Sequence, residues 1–431
     1  MLKKKMDYQE AMELLIRRVS PVGIEEVPLE KCAGRILGAD ITATENVPSF
    51  DRSPYDGYAF RAGDTAGVSE GNPVTLRVLE NIRAGQMPRQ EVVPGTAIRL
   101  MTGAPVPVGA DAICKYEDTE FTEESVTLKQ SYRPGENIVT AGEDIRQGTP
   151  VLEKGYRIDP GMVGTLASLG VMQVPVFRKP VVGILSTGDE VVEAGEPLPP
   201  GKIRNSNRYT IAAALESIGM ETIYLGQAED STESIAGLIR RGEQGAAGSD
   251  SSVPSVPPCD VLISTGGVSV GDYDLVPDAM ETCGYEILTG GVAMKPGMAC
   301  AYGVKTMTVA NEAQDRLMLG LSGNPASSLT NLQCVCFPAL RKMTGQKEFE
   351  HSMLRVKLGC DILKTGKGTR FVRGRTVIRE GEIVFEAPSA QGNVVISSAA
   401  RCDAYAVLTG MKAPVKEGTM VEVFTVRGGA V

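Results

Sequence analysis

The chain has 431 residues, 42% hydrophobic and 23% charged, with a net charge of −9. One hydrophobic core rarely serves so long a chain, so two to four domains are expected. The acidic balance argues against a broad nucleic-acid-binding surface, and the one histidine, His351, lies in a polar stretch that argues against a Ser-His-Asp triad, a Cys-His pair or a histidine-based zinc site.

Catalysis is thereby left to carboxylates, lysines, backbone donors and oxygen-ligated metal. The nine cysteines are odd in number and lack a C-x-x-C pair, which reads as reduced thiols packed as small apolar groups. The basic start, Met1 to Lys5, runs into Asp7, Glu10 and Glu13, where a signal peptide needs an apolar stretch. No apolar run approaches the roughly 20 residues of a membrane helix. A cytoplasmic protein with neither membrane nor nucleic acid among its partners is expected.

Asp7 can cap a helix over 8–19, with Met12, Leu15, Ile16 and Val19 on one face. From 41 to about 148 short β-type runs alternate with Gly/Pro turns, at 74–79, 97–101 and 112–116. Asp159 followed by Pro160 opens another helix, to 169. Arg178-Lys179-Pro180 then leads into an α/β region running to about 345.

One design recurs three times there. Residues 181–185 are an apolar strand running into Ser186-Thr187-Gly188-Asp189-Glu190. The stretch 260–274, DVLISTGGVSVGDYD, carries Gly266, Gly267 and Ser269 into Asp272 and Asp274. Residues 317–321 run into Ser322-Gly323-Asn324-Pro325. Strands opening into such loops, each followed by a helix, describe a doubly wound α/β domain with a ligand crevice at one sheet edge. Glycines let backbone N–H groups approach an anion, and helix N-termini add positive dipole. Carboxylates after two of the loops suit a divalent cation, so the site is expected to take a phosphorylated ligand with Mg²⁺.

Glu190 and Asp274 are the metal candidates. Asp189, Asp230 and Asp272 are second candidates, each equally readable as a helix cap or turn residue. Lys295, in Met294-Lys295-Pro296-Gly297, sits among apolar residues where an unpaired ammonium is costly, which favours an anion beside it over a structural ion pair. Residues 242–258 are rich in Gly, Ser and Pro and read as a mobile surface loop. His351, in a polar stretch, reads as a solvated surface residue. From 353 onward strand-like segments at 354–358, 370–378, 383–387, 404–408 and 420–426 have the spacing of a small β-barrel or sandwich.

Pro48-Ser49-Phe50-Asp51-Arg52-Ser53-Pro54-Tyr55-Asp56-Gly57-Tyr58-Ala59 resembles the P-x-F-D-x-S-x-x-D-G-Y-A signature of the MoeA and gephyrin E-domain family, the molybdopterin molybdenumtransferases. MTGAPVPVGADAI from Met101, STGDE from Ser186, STGGVSVGDYD from Ser264, MKPG from Met294 and GNP from Gly323 are further matches, in the family's order and over nearly the whole chain. The resemblance implies a multidomain α/β plus β protein and a homodimer. Its discontinuous N-terminal domain would be 1–45 with 145–178, and its β-rich insertion 46–144. The doubly wound, MogA-like molybdopterin-binding domain would be 179–346 and the C-terminal β-barrel 347–431. It implies Mg²⁺-dependent insertion of molybdate into adenylylated molybdopterin, with release of AMP and formation of molybdenum cofactor. The molybdopterin adenylyltransferase and apo-molybdoenzymes are the implied protein partners.

By the same resemblance Asp56, Thr102 and Asp144 face the partner subunit's cleft, although Asp56 by itself also reads as an Asx-turn residue. Lys295, Pro296, Ser327, Arg373 and Ser397 or Ser398 are implicated in molybdate binding, with surface solvation an alternative for Arg373 because Arg370 and Arg375 flank it. The chain departs from the family at Ser322 (usually proline), Asn205 (commonly aspartate), Gly290-Gly291 (usually His, Trp or Lys) and Thr369 (often arginine). A cofactor-binding scaffold dimer, a paralogue with an altered oxyanion preference, and a molybdopterin adenylyltransferase are the alternatives these departures leave open. A near-complete set of carboxylates, costly to bury unpaired, argues against the scaffold.

Overall fold

Asp7 starts the fold as expected. Its carboxylate accepts the Gln9 N–H at 2.9 Å and opens α1 (Tyr8–Arg17), which buries Ala11 and Leu15 and ends at Arg17 rather than at 19. The computed structural model describes residues 5–245, 256–268, 275–309, 312–365 and 368–426. Most of the 242–258 stretch expected to be mobile lies outside these, as do Ser269, Asp272 and Asp274.

Strands β1 (Ile24–Pro28) and β2 (Ile41–Thr42) precede a β-rich unit of β3 (Gly57–Phe60), β4 (Val74–Ile82), β5 (Thr96–Leu100), β6 (Ala112–Lys115), β7 (Glu120–Phe121) and β8 (Ser125–Leu128). They form one sheet, in the order β6-β3-β5-β4-β8-β7. Alternation buries both faces: Tyr58 and Phe60 join one apolar cluster, Ala59 and Ile98 the other. The chain then returns. β9 (Pro150–Leu152) pairs with β2, and α2 (Pro160–Ser168), capped by Asp159, leads to β10 (Gln173–Phe177) along β1. Segments on either side of the β-rich unit thus share one core, with Leu37, Ile41, Ile158 and Val176 in it.

The α/β unit comprises β11 (Val181–Thr187), a small flap of β12 (Val191–Val192) and β13 (Ile203–Arg204), α3 (Ser206–Ser217), β14 (Glu221–Ala228), α4 (Thr232–Gln244), β15 (Val261–Thr265), α5 (Val276–Thr282), β16 (Glu286–Thr289), β17 (Met294–Lys295), β18 (Cys300–Val309), β19 (Glu312–Leu321), α6 (Pro325–Asn331) and α7 (Phe337–Met343). The sheet order is β14-β11-β15-β19-β18-β16, with the first four parallel and β18 antiparallel to its neighbours. β17 leaves this sheet. One face packs on α1, α3, α6 and α7, the other on α4 and α5. Because Ser186, Thr265 and Leu321 share one row of register, the three motif loops emerge together.

The C-terminal strands β20 (Met353–Leu358), β21 (Thr369–Arg379), β22 (Glu382–Glu386), β23 (Ala404–Thr409) and β24 (Met420–Thr425) close into a five-stranded barrel through the β21–β23 pairing. β17 extends it along β21. Phe371, Tyr405 and Phe424 pack outward into the core that holds α6 and α7.

α6 and α7 are one helical run joined by a π-helical turn at Leu332–Cys336, with Pro338 just beyond it. The expectation for His351 fails here. Its ring is partly buried, stacks on Phe424 at 4.0 Å and places Nε2 3.2 Å from the Cys334 carbonyl. A polar local sequence was no guide, because the contacts that cover His351 come from distant elements.

Candidate functional site

A cavity of about 500 Å³ opens where the three loops meet. Ser186, Thr187, Gly188 and Glu190 line it from the first loop, Gly266 and Gly267 from the second, and Gly323, Asn324 and Pro325 from the third. Asp230 adds a carboxylate from beyond β14. Gly266, at φ +98°, must be glycine: a Cβ there would stand 2.6 Å from the Thr187 hydroxyl. Asp189 is exposed outside this lining, and its carbonyl accepts the Lys202 ammonium.

Two expectations about electrostatics need correction. Glu190 and Asp230 are exposed, so no desolvation cost attaches to them and the argument against a scaffold from buried acids lapses. The first turn of α6 does not offer its N–H groups to the cavity either. Ala326 and Ser327 donate instead to the Asn393 carbonyl, at 3.1 and 3.3 Å.

The start of α3 forms a further wall, of which the sequence singles out only Asn205, as a departure from the family. Asn205 is 3% exposed and caps the helix by accepting the Arg208 N–H. Its amide donates to the Ser186 hydroxyl (3.0 Å), Glu193 (3.2 Å) and the Tyr224 hydroxyl (3.3 Å). Arg208 pairs with the same Glu193 at 2.6 Å. Asn207 donates to the Gly323 carbonyl at 2.9 Å, while its buried Oδ1 has no partner among the described residues. An orphan acceptor in a cavity wall fits a ligand that brings an N–H or O–H donor. The signal available in sequence was the run Asn205-Ser206-Asn207 just ahead of a helix.

Asp56 and Thr102 meet away from this cavity, in the β-rich unit. Asp56 Oδ1 accepts both the Thr102 N–H (2.7 Å) and its hydroxyl (2.8 Å), and these bonds hold the carboxyl below the usual carboxylate range. Asp144 is exposed on the returning segment, its N–H bonded to the Val47 carbonyl.

The MKPG turn rests on α6. Gly297, at φ +102°, lies so close that a Cβ would reach Asn331 at 3.0 Å and the Ser327 carbonyl at 3.1 Å, and Asn331 donates to the Gly297 carbonyl at 2.8 Å. Pro296 and Ser327 are buried, but Lys295 is exposed. The expectation of an ammonium among apolar groups is therefore corrected, because the side chain projects from a buried turn into solvent.

Arg373 is the reverse case. It is 0% exposed, and solvation by its arginine neighbours does not apply. Its guanidinium donates to the Ser398 hydroxyl (2.9 and 3.2 Å), the Gly392 carbonyl (3.2 Å) and the Thr330 hydroxyl (3.5 Å), all neutral. Burial pulls its pKa down. Ser398, not the exposed Ser397, is the serine that Arg373 touches. A buried cation held only by neutral acceptors is poised for an anion.

Among the described residues no group of three His, Cys, Asp or Glu could hold a metal. The cavity does present two exposed carboxylates, Glu190 and Asp230, and Asp274 lies outside the described residues. Such hard oxygen donors fit Mg²⁺, which commonly takes one or two carboxylates and fills its octahedron with water and substrate phosphate.

A row of strand-end loops around a cavity, followed in the chain by a closed barrel, defines a multidomain α/β protein. Family models match in succession: the MoeA N-terminal region (domain I and II) over 6–170, a probable molybdopterin binding domain over 183–342, and the MoeA C-terminal region (domain IV) over 355–426. The chain is 37% identical to the molybdopterin molybdenumtransferase of Bacillus subtilis, across 94% of this chain and 90% of the relative. With that of Staphylococcus aureus (strain Mu50) it shares 33% identity across 98% and 96%. The crystal structure of a molybdopterin biosynthesis MoeA protein from Pyrococcus horikoshii superposes with a TM-score of 0.81 at 30% identity, covering 99% of this chain and 100% of the other. The chain belongs to the molybdopterin molybdenumtransferase family. No helix among the described residues is long and apolar enough to cross a membrane.

Proposed function

We propose that this chain is itself a molybdopterin molybdenumtransferase, inserting molybdate into adenylylated molybdopterin with release of AMP. The observation that carries this reading is Arg373, a fully buried guanidinium with no carboxylate partner among the described residues, which donates to Thr330 on α6, the helix that follows the third of the Gly/Ser/Thr loops lining the cavity. The backbone and hydroxyls of Ser186, Thr187, Gly188, Gly266, Gly267, Gly323 and Asn324 hold the phosphorylated ligand. Lys295, Ser327, Arg373 and Ser398 bind the oxyanion against the turn at Pro296.

Glu190, together with Asp274, would hold Mg²⁺, which when bound neutralises the charge of the phosphoanhydride. The chain's own residues then have to orient the anhydride and bind the departing phosphate, work that needs no side-chain nucleophile. In this reading Asp56, Thr102 and Asp144 serve the cleft of a partner subunit in a homodimer. The four units follow the boundaries given above, with the molybdopterin adenylyltransferase as the supplier of substrate.

The test is AMP release from adenylylated molybdopterin with Mg²⁺, comparing molybdate, tungstate and no oxyanion. Oxyanion-stimulated release is expected. Binding of the substrate with no release under any oxyanion would leave a scaffold role as the better account.

A further inference from the structure

Four arginines lie on β21, at positions 370, 373, 375 and 379. Arg375 and Arg379 both pair with Glu386. Arg370 and Arg373, toward the β17 end, have no carboxylate partner among the described residues. Arg373 has the neutral acceptors described above. Arg370 has none among the described residues: it is partly buried, and its Nε is enclosed without a hydrogen-bond partner there.

Register adds a second cation. β17 runs parallel to β21 with Lys295 opposite Arg370, and neighbouring strands lie roughly 4.7–4.9 Å apart, so paired residues rise side by side from one face. Two like charges in that position destabilise a sheet. Here they stand on an otherwise well-fixed element, because the next turn is clamped to α6 through Asn331 and Gly297. By strand alternation Arg370 faces opposite to Arg373, so the Lys295–Arg370 pair does not share its face with Arg373.

We infer that Arg370 is a further binding residue, which with Lys295 forms a paired-cation seat for a tetrahedral dianion. This rests on the reading of Lys295 as an oxyanion ligand and adds to it a residue with the planar donor fork suited to two oxygens at once. The repulsion in the free protein is then relieved by the ligand, which makes the site selective for doubly charged anions.

The experiment titrates the full-length protein with tungstate and with molybdate by calorimetry, in wild type, Arg370→Gln and Arg370→Lys, with melting temperature recorded without anion. Arg370→Gln is expected to weaken binding by at least about tenfold, the scale of one charged hydrogen bond. Its anion-free melting temperature should be unchanged or higher, and Arg370→Lys should fall between the two. Equal affinity in wild type and Arg370→Gln overturns the inference while leaving the proposed function intact, and so does a lowered melting temperature that Arg370→Lys restores together with affinity. Wild type that binds neither oxyanion overturns the functional reading itself.

Discussion

The Nε2 of His351 lies 3.2 Å from the Cys334 carbonyl, the group to which residue 338 would donate in an unbroken α-helix were it not proline. A carbonyl only accepts, so Nε2 carries the proton and Nδ1 is left without a partner. The only histidine of the chain therefore caps the helix defect between α6 and α7. Burial, and next the charge of Arg341, push its pKa down to about 3.

A pH dependence follows. Since the folded value lies below the unfolded value of roughly 6.5, the unfolded chain binds more protons between them, and stability falls as pH drops through that window by at most about 1.4 kcal/mol per unit. The depressed carboxyls of Asp56, Asp361 and Glu386 lose their stabilising contribution only below about pH 5. His351→Gln keeps an N–H for the carbonyl and cannot titrate. Thermal melts at about pH 7 and pH 5 should show a smaller loss in the variant than in wild type; equal losses would assign the titration elsewhere.

Arg373→Met should separate binding from folding. It removes a buried charge that no carboxylate balances, so the anion-free melting temperature should not fall by more than about 2 °C, on the order of 1 kcal/mol. Molybdate should raise the melting temperature of wild type but not of the variant, and oxyanion-stimulated AMP release should drop by about 100-fold or more. A variant that is still stabilised by molybdate removes Arg373 from the site.

Glu190 is exposed on the cavity rim and engages in no ion pair among the described residues, so Glu190→Gln should leave stability within about 0.5 kcal/mol of wild type. If it ligates Mg²⁺, the concentration giving half-maximal AMP release should rise by at least about tenfold. An unchanged magnesium titration moves the metal to other carboxylates.

Asn205→Asp should be destabilising, although the family resemblance leads one to expect aspartate at this position. It replaces a donor to Ser186 and Tyr224 with a second carboxylate facing Glu193. A loss of about 1–3 kcal/mol is expected, the cost of an unsatisfied buried polar group. Glu193→Gln in the same chain should recover part of it. Additive losses in the double variant would mean that Glu193 has no bearing on the choice of asparagine.

The parts of the fold written in neighbouring residues were legible: the caps at Asp7 and Asp159, the alternation of the barrel strands, and the three strand-to-glycine loops whose residues do line one cavity. What was not legible depends on residues far along the chain. Arg373 and Arg375 look alike in sequence, yet one meets Ser398 and Thr330 while the other meets Glu386. Lys295 has apolar neighbours but projects outward, and His351 has polar neighbours but stacks on Phe424. In each case local composition described the backbone's surroundings and not where the side chain ends.

The way the outer strands pair bears on how the protein is made. Ile24 lies opposite Phe177 and Ile41 opposite Leu152, whereas β3 to β8 pair only among themselves. During synthesis the inner sheet can close while β1 is still an unpaired edge, and a chain stopped before 173 would keep that edge open to association with other chains. The converse also holds. Ala43 and Thr149 are already bonded, N–H to carbonyl, at 2.9 Å, so a short splice across them would leave each outer strand its partner, and the inner sheet can be exchanged between relatives without rebuilding its frame.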